Sequence, residues 1–443
     1  MSYPKQKVVF IIGTTGVGKT KLSVQLAKHY GGEIVNADIM QMYDAVPIAT
    51  AKVTPEEAQG IPHHLLSFLK PTDTYTVRDY RDAAMKMISF IYLYMIPSRG
   101  KLPIVVGGTN YYIQSLLWES LLDEGTLHEE EPHKKQIIPI PGPYQLDNIN
   151  NYTNEELYSI LKTMDPEMSS NLHMNQKRKV RRAVEVYVTT GKKQSSIIEE
   201  QKKRFLSLES RYNARCFYLT CDRMTLYKRL DDRVDKMVEQ GLLKEVEDFI
   251  TNNKDLYRDL GGDLDDGDVN NHGIMQAIGL KEFIPAFTGT KEVTIENCLN
   301  QLKQNTRNYA KKQITWITNR LMPRNIYIQS LDTTDISQWD QNVYQPALQV
   351  VDSLLNTPQN LEIKNSDQWI EKNIKPVTHH YCTVCARDFC GDKDYNEHIN
   401  SRKHRRAKEH LNKKNIYMNR KEYIEKMATK TEEVKTNENK QNS

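Results

Sequence analysis

The stretch Val8-Val9-Phe10-Ile11-Ile12-Gly13-Thr14-Thr15-Gly16-Val17-Gly18-Lys19-Thr20 decides the fold. Its first five residues are apolar without alternation, the mark of a strand buried on both faces in a parallel sheet. The run ends in Gly13–Thr20, which fits the pattern G-x4-G-K-[ST]. That motif needs a strand before it and a helix after it. The helix follows at Lys21–Tyr30, where Leu22, Leu26 and Tyr30 fall at i, i+4 and i+8. Glycines let the backbone curl so that successive N–H groups point at phosphate oxygens, and the helix N-terminus adds positive potential. Lys19 is the residue to neutralise a terminal phosphate, and Thr20 the residue to ligate Mg²⁺. Such a loop recognises a diphosphate or triphosphate on any carrier; it does not by itself specify ATP.

Outward from this loop, Glu33–Ala37, Pro103–Val106 and Cys216–Thr220 read as further strands, with a long helix from Arg223 to Phe249. Strands alternating with helices imply a parallel sheet. Between about Leu121 and Arg211 strand-like runs disappear; Ile137–Asn151 reads as a loop, and Asn154–Lys162, Gln176–Thr190 and Ser195–Leu208 read as helices. Asn252–Asn271 reads as a polar solvent loop. Beyond Arg320 only Ile326–Ile328 has strand character, within a polar stretch. The expected fold is α/β: a phosphate-loop parallel-sheet core with a helical insertion domain and a C-terminal Cys2His2 zinc finger. The expected boundaries are core 1–120, helical insertion 121–211, core again 212–320, linker 321–376, finger 377–410, and a charged, disordered tail 411–443.

The finger rests on Cys382-x2-Cys385-x12-His398-x5-His404, two thiolates and two imidazoles at the spacing of a tetrahedral structural Zn²⁺ site. Phe389 and Ile399 supply a small core, and Arg402, Lys403, Arg405 and Arg406 follow at once. These basic residues suit nucleic acid; a protein-binding finger is the alternative.

Of 443 residues, 38% are hydrophobic and 27% charged, enough for a sizeable core in two or three domains. The net charge of +4 says less than its distribution, which concentrates basic residues at Lys177–Arg182 and after Arg402. Local basic clusters bind polyanions even on a nearly neutral chain. No apolar run reaches the ~18 residues of a membrane span. The first strand begins so early that no presequence is expected, and six cysteines without a secretory signal imply a reducing compartment. The expected location is cytoplasmic, with nuclear or mitochondrial pools left open. Oligomeric state is not legible; a monomer is favoured.

Four stretches then become specific together: Gly13–Thr20, Asn36-Ala37-Asp38-Ile39-Met40-Gln41-Met42-Tyr43, Ile61-Pro62-His63-His64-Leu65 and Val106-Gly107-Gly108-Thr109-Asn110-Tyr111-Tyr112. They closely resemble the tRNA dimethylallyltransferase (tRNA isopentenyltransferase) family. So do Asp222-Arg223 with Arg229 and Arg233, Gly273–Phe283, and Thr306–Trp316. The resemblance spans residues 7–320, and the appended finger resembles the eukaryotic, fungal-type member. It implies a core that binds dimethylallyl diphosphate and an insertion that grips the tRNA anticodon stem-loop. The implied target is N6 of the adenosine immediately 3′ of the anticodon, flipped into a channel opposite the diphosphate.

By this resemblance Asp38 is the general base for the adenine amine, with a Mg²⁺-binding or loop-capping Asp as the alternative. Lys19 and Thr109 complete the catalytic set, Thr109 also reading as a helix N-cap. Gly13, Thr14, Thr15, Gly16, Val17, Gly18, Lys19 and Thr20, with Arg223 and Arg233, would bind the diphosphate. Asp38, Ile39, Met40 and Gln41, and on the insertion Arg178, Lys179, Val180, Arg181 and Arg182, would contact tRNA. Lys179 stands where the family often has Arg, and Ala37 where it more often has Ser. Arg307 and Lys311 share a helix face that suits either tRNA phosphates or solvent. His63 and His64 read as core or loop histidines. Three rivals remain at this point: a phosphate-loop kinase, an enzyme that prenylates free adenine nucleotides, and a non-catalytic RNA-binding protein with a vestigial core. The absence of an acid at the end of Ile104–Val106 weighs against the kinase.

Overall fold

The computed structural model describes residues 5–93, 101–118, 149, 152–205, 209–254, 273–289, 293–324, 326–356, 379–385, 387–390, 392–402 and 404–409. The chain forms two compact units, residues 1–169 with 174–366, and residues 170–173 with 367–443.

The first unit is built on a six-stranded sheet in the order β3-β2-β4-β1-β5-β6. Its strands are β1 (Lys7–Gly13), β2 (Glu33–Asn36), β3 (His63–His64), β4 (Pro103–Val106), β5 (Asn213–Thr220) and β6 (Tyr327–Asp332). Every pairing is parallel. The unalternating run of β1 has the expected cause. Val8, Phe10 and Ile12 point into one apolar cluster, Val9 and Ile11 into another, so both faces of the strand are covered. Helix Lys19–Tyr30 closes the second cluster with Leu22, Leu26 and Ala27 and stops at Gly31, which is left-handed at φ 61. On the other face, helices Val77–Leu93 and Asn110–Leu117 bring Tyr80, Ile88, Ile113 and Leu116 onto Val35 and Val105.

Two expectations are corrected. The helix read from Arg223 to Phe249 is two, Arg223–Glu239 and Leu242–Asn252. Gly241 between them adopts φ 100, which a right-handed helix cannot contain. The stretch read as a linker from 321 onward is largely core. Tyr327–Asp332 pairs with β5 in the register Cys216↔Ile328 and Leu219↔Leu331. Helix Gln345–Asn356 then buries Ala347, Val351 and Leu354 in the same cluster as Leu22 and Phe217. The strand is hard to read in the sequence because it is an edge strand, with only Leu331 buried among its six residues. The remainder of that linker, from 357, and the tail 411–443 lie outside the described residues, as do most of Ile137–Asn151 and Asn252–Asn271.

The insertion is helical as expected: Asn154–Met164, Pro166–Asn171, Lys177–Thr190 and Gln194–Phe205. A capping box of Thr153 and Glu156 starts the first helix. The buried carboxylate of Asp165 accepts from the Ser195 N–H at 2.9 Å and the Ser195 hydroxyl at 2.7 Å, tying the last helix to the first. Among the described residues, no helix is long and apolar enough to cross a membrane.

The second unit carries a two-stranded antiparallel ladder, β7 (His379–Cys382) and β8 (Arg387–Cys390), followed by helix Asp392–Ile399.

If the 345–356 helix is core, Leu354→Ala lowers unfolding stability by about 2–5 kcal/mol, as for other fully buried leucines. A linker position would shift it by about 0.5 kcal/mol or less. Denaturant unfolding of the two proteins distinguishes these outcomes.

Candidate active site

The C-terminal ends of β1, β2 and β4 meet at a cavity of about 960 Å³. The phosphate loop forms one wall. Its glycines are needed: Gly16 and Gly18 adopt φ 80 and 93, and a Cβ on Gly13 would sit 2.8 Å from the Leu219 carbonyl oxygen. Thr15, Gly16, Gly18, Lys19 and Thr20 line the cavity. Gly13, Thr14 and Val17 are buried behind it, so Val17 contributes packing and backbone only. The Lys19 ammonium donates to the carbonyls of Gly13 at 3.2 Å and Thr14 at 2.7 Å.

The facing wall comes from the turn after β2. Asp38 caps helix Ile39–Met42 by accepting from the Met40 N–H at 3.2 Å, while its own N–H donates to Asn36 Oδ1 at 3.1 Å. Asp38 and Gln41 line the cavity; Ile39 and Met40 pack against the core instead. The Gln41 amide donates to the carbonyls of Thr50 and Ala51, which bounds the same chamber. Burial raises the Asp38 pKa above the usual carboxylate value, against the opposing pull of Lys19, the Met40 N–H and Arg233. Burial also lowers Lys19 to about 8, opposed by Asp38 and assisted by Arg233.

Thr109 sits at the N-cap of helix Asn110–Leu117 but makes no side-chain cap bond. Its hydroxyl instead accepts from the Ile39 N–H at 3.2 Å, joining the β4 turn to the β2 turn. Of the two arginines singled out in the sequence, Arg233 lines the cavity, whereas Arg223 is exposed at the start of its helix and outside the lining. Arg229 lines it as well and donates to the carbonyls of Thr333 and Thr334 at 2.8 and 2.7 Å.

Helix Ile295–Trp316 is strapped to Arg223–Glu239 by the Lys303–Asp235 ion pair at 2.6 Å and by Arg307–Asp231. That pairing engages Arg307, and the Lys311 ammonium lies 5.7 Å from the Tyr227 ring centre. Two residues of this helix that sequence reading does not single out reach the site. Gln313 lines the cavity, and the Tyr309 hydroxyl donates to the Gly108 carbonyl at 3.2 Å. Their i, i+4 spacing is visible in the chain; their partners, about 200 and 300 residues away in sequence, are not. His64 and Lys101 bind the Glu33 carboxylate at 2.7 and 2.6 Å, so His64 is structural.

On the insertion, Lys179 is exposed, Arg182 pairs with Glu185 at 3.5 Å and Arg181 approaches the same carboxylate at 3.7 Å. Val180 is fully buried, so its side chain is withdrawn from any contact surface. The Arg178 side chain lies outside the described residues. In the second unit, Cys382, Cys385, His398 and His404 place their ligand atoms within 4.8 Å of one another, with Nδ1 of His404 3.5 Å from each sulfur and 3.1 Å from His398 Nε2.

A phosphate loop facing a half-buried carboxylate across one chamber defines a phosphate-loop α/β protein suited to group transfer from a phosphorylated donor. Comparison makes this specific. The IPP transferase family profile matches residues 41–320 and the isopentenyl transferase profile residues 6–68. A zinc-finger double-stranded RNA-binding profile matches residues 379–405. The chain is 34% identical to the tRNA dimethylallyltransferase of Saccharomyces cerevisiae, over 90% of this chain and 91% of the relative. It is 39% identical to that of Bacillus subtilis, over 72% of this chain and 90% of the relative. A crystal structure of a eukaryotic dimethylallyltransferase acting on tRNA superposes with a TM-score of 0.71 at 32% identity, covering 94% of this chain and 100% of the other. The chain belongs to the tRNA dimethylallyltransferase family.

A lysine at about 8 loses its proton just above neutrality. Affinity for a diphosphate monoester, whose own ionisation is complete by then, is therefore flat below pH 8 and falls as pH rises above it. The limiting slope is about tenfold per pH unit, because only protonated Lys19 binds the dianionic end. Calorimetric titration from pH 7 to 9.5 reads this, and Lys19→Met removes the dependence.

Proposed function

We propose that the protein transfers a dimethylallyl group from dimethylallyl diphosphate to N6 of the adenosine immediately 3′ of the anticodon in tRNA. The observation that carries this reading is the single chamber lined by both Lys19 and Asp38. The diphosphate lies on the loop of residues 13–20, with Lys19 and Arg233 against its oxygens. The flipped adenine enters on the Asp38 side. The N6–C1 bond forms as the C1–O bond breaks, the electron pair of that bond leaves with the diphosphate, and the N6 proton passes to an Asp38 oxygen.

Two features of the site serve that step. The adenine amine is weakly basic because its lone pair is delocalised into the ring, so the reaction gains from a carboxylate that takes the proton as the bond forms. Burial raises the basicity of Asp38, and Lys19, the Met40 N–H and Arg233 oppose that rise. The departing diphosphate gains charge, which donors fixed in a poorly solvated cavity stabilise without reorganising.

Mg²⁺ fits the donor set on the loop side, where Thr15 and Thr20 line the cavity opposite the Asp38 carboxylate. These are hard oxygen donors, the kind Mg²⁺ prefers beside phosphate. When bound, the ion neutralises part of the leaving-group charge. Zn²⁺ fits Cys382, Cys385, His398 and His404, a closed tetrahedral set with a structural role. The exposed basic face of helix Lys177–Thr190 and the basic residues after His398 take the tRNA phosphates, positioning the stem-loop without reading its bases.

The decisive assay incubates the protein with tRNA, Mg²⁺ and dimethylallyl diphosphate in nucleotide-free buffer, followed by mass spectrometry of the nucleosides. Prenylated adenosine is expected; ATP-dependent phosphorylation with no prenyl transfer sinks the reading. Asp38→Ala lowers the single-turnover rate at saturating substrates by on the order of 10²–10⁴, the usual cost of a lost general base. An unchanged rate removes Asp38 from that role. Metal analysis finds one zinc per chain, lost in Cys382→Ser, with turnover at saturating tRNA retained.

A further inference from the structure

We infer that Gln313 is a positioning residue for the transfer, a strut that sets the gap between the phosphate loop and the turn carrying Thr109 beside Asp38. The inference rests on the proposed role of Asp38 and concerns what holds that base at reacting distance from the donor.

Gln313 is 3% exposed, on a helix whose neighbouring turns are ion-paired to helix Arg223–Glu239. A buried amide is costly unless both of its ends are satisfied. Here both are, and by obligatory partners. Oε1 accepts from the Thr15 N–H at 3.0 Å, and Nε2 donates to the Gly108 carbonyl at 3.0 Å. A backbone N–H only donates and a backbone carbonyl only accepts, so these partners fix the orientation of the amide. The Gln313 backbone carbonyl accepts from Asn110 Nδ2 at 3.3 Å, and Tyr309, one turn earlier, adds its own bond to the Gly108 carbonyl. One helix thus holds the donor-side loop and the base-side turn at the same time.

Asp38 stands against the same glycine. A Cβ on Gly108 would lie 2.6 Å from Gln313 Nε2 and 3.3 Å from Asp38 Oδ2, so the amide and the carboxylate flank the space that a side chain at Gly108 would fill. Gln313 touches neither the transferred carbon nor the N6 proton in this scheme. It acts through Thr15, Gly108 and Asp38. Reacting atoms must approach to roughly 3–3.5 Å, and a displacement of about 1 Å costs on the order of 10²-fold in rate. Glutamate keeps the acceptor and loses the donor; leucine loses both.

The test compares Gln313→Leu, Gln313→Glu and Tyr309→Phe in the full-length protein. Single-turnover transfer is measured at saturating dimethylallyl diphosphate and tRNA, and the equilibrium affinity for each substrate separately. Gln313→Leu is expected to slow transfer by on the order of 10²-fold and to leave both affinities within about threefold, the pattern of an interaction needed only for the reacting geometry. Tyr309→Phe, which removes one of the donors to Gly108, slows it by about fivefold, the worth of one hydrogen bond. Gln313→Glu preserves the side-chain volume and gives the rate readout at saturating substrates should the leucine variant unfold; its added charge beside Thr15 weakens diphosphate binding, so the affinity criterion is applied to Gln313→Leu.

The Gln313 substitution is repeated in Asp38→Ala. If the strut works by holding Asp38 in place, its further cost there shrinks to less than about threefold, because coupled residues are non-additive. An unchanged rate in both Gln313 variants overturns the inference. So does a loss confined to diphosphate affinity, or an equal loss with and without Asp38. Should Asp38→Ala alone leave the rate unchanged, the base assignment fails. Gln313 is then judged by the rate-versus-affinity split alone.

Discussion

Lys19 and Asp38 share a chamber in which burial works against the charge of each. Burial lowers the lysine to about 8 and raises the aspartate. Each is the other's principal compensation, since their mutual attraction opposes burial more strongly than any other contact of either group. That balance constrains the rest of the site. An aspartate left in water would be too weak a base to relieve an amide-like amine, and one buried alone would simply hold a proton. In the proposed reaction the diphosphate shares Lys19 with Asp38, and Arg233 and the Met40 N–H go on opposing the effect of burial on the aspartate.

The balance requires two chain segments to come closer than side chains allow. β2 and β4 are adjacent and parallel, in the register Asn36↔Val106, so the turns beyond them emerge side by side. The Ala37 N–H donates to the Val106 carbonyl and the Thr109 N–H to the Ala37 carbonyl, which continues the ladder past the strands. The Thr109 hydroxyl is then committed to the Ile39 N–H, holding the first turn of the helix that Asp38 caps. The Ile295–Trp316 helix closes the far side through Gln313 and Tyr309, and its ion pairs to the helix bearing Arg233 keep the cation on the same frame.

Much of this is legible in the chain because the signals are local. Gly13–Thr20 carries its strand, its glycines and its lysine within a few residues, and Cys382–His404 carries its whole ligand set. Val180 is misleading because Lys177–Arg182 reads as one basic run, while the helical period turns one residue of it into the insertion's core. Arg223 and Arg233 look alike in sequence, yet ten residues on a helix put them nearly three turns apart, and only Arg233 lies beside the loop. β6 reads as linker because an edge strand needs little apolar character; its partner strand, more than a hundred residues earlier, is what makes it a strand. Gln313 is invisible for the same reason. A glutamine on a helix states nothing about the N–H and the carbonyl that it joins.

A glycine pair follows β4, and Asp38 follows β2. Phosphate-loop enzymes that hydrolyse or transfer a terminal phosphate place an aspartate at the end of a core strand to organise Mg²⁺. Here that strand runs into Gly107, where a Cβ would lie 2.2 Å from the carbonyl carbon and oxygen of Ala37. No side chain fits at Gly107 while the two turns remain in contact, and the last residue of the strand, Val106, lines the chamber with an apolar side chain. At Gly108 a Cβ would press on the Gln313 amide at 2.6 Å. The close approach of Gly107 to Ala37 is the same one that brings the Thr109 hydroxyl to the Ile39 N–H, beside Asp38. The Asp38 carboxylate thus stands after β2 and not at the end of β4, and in the proposed reaction it is there that a nucleophile entering opposite the diphosphate gives up its proton.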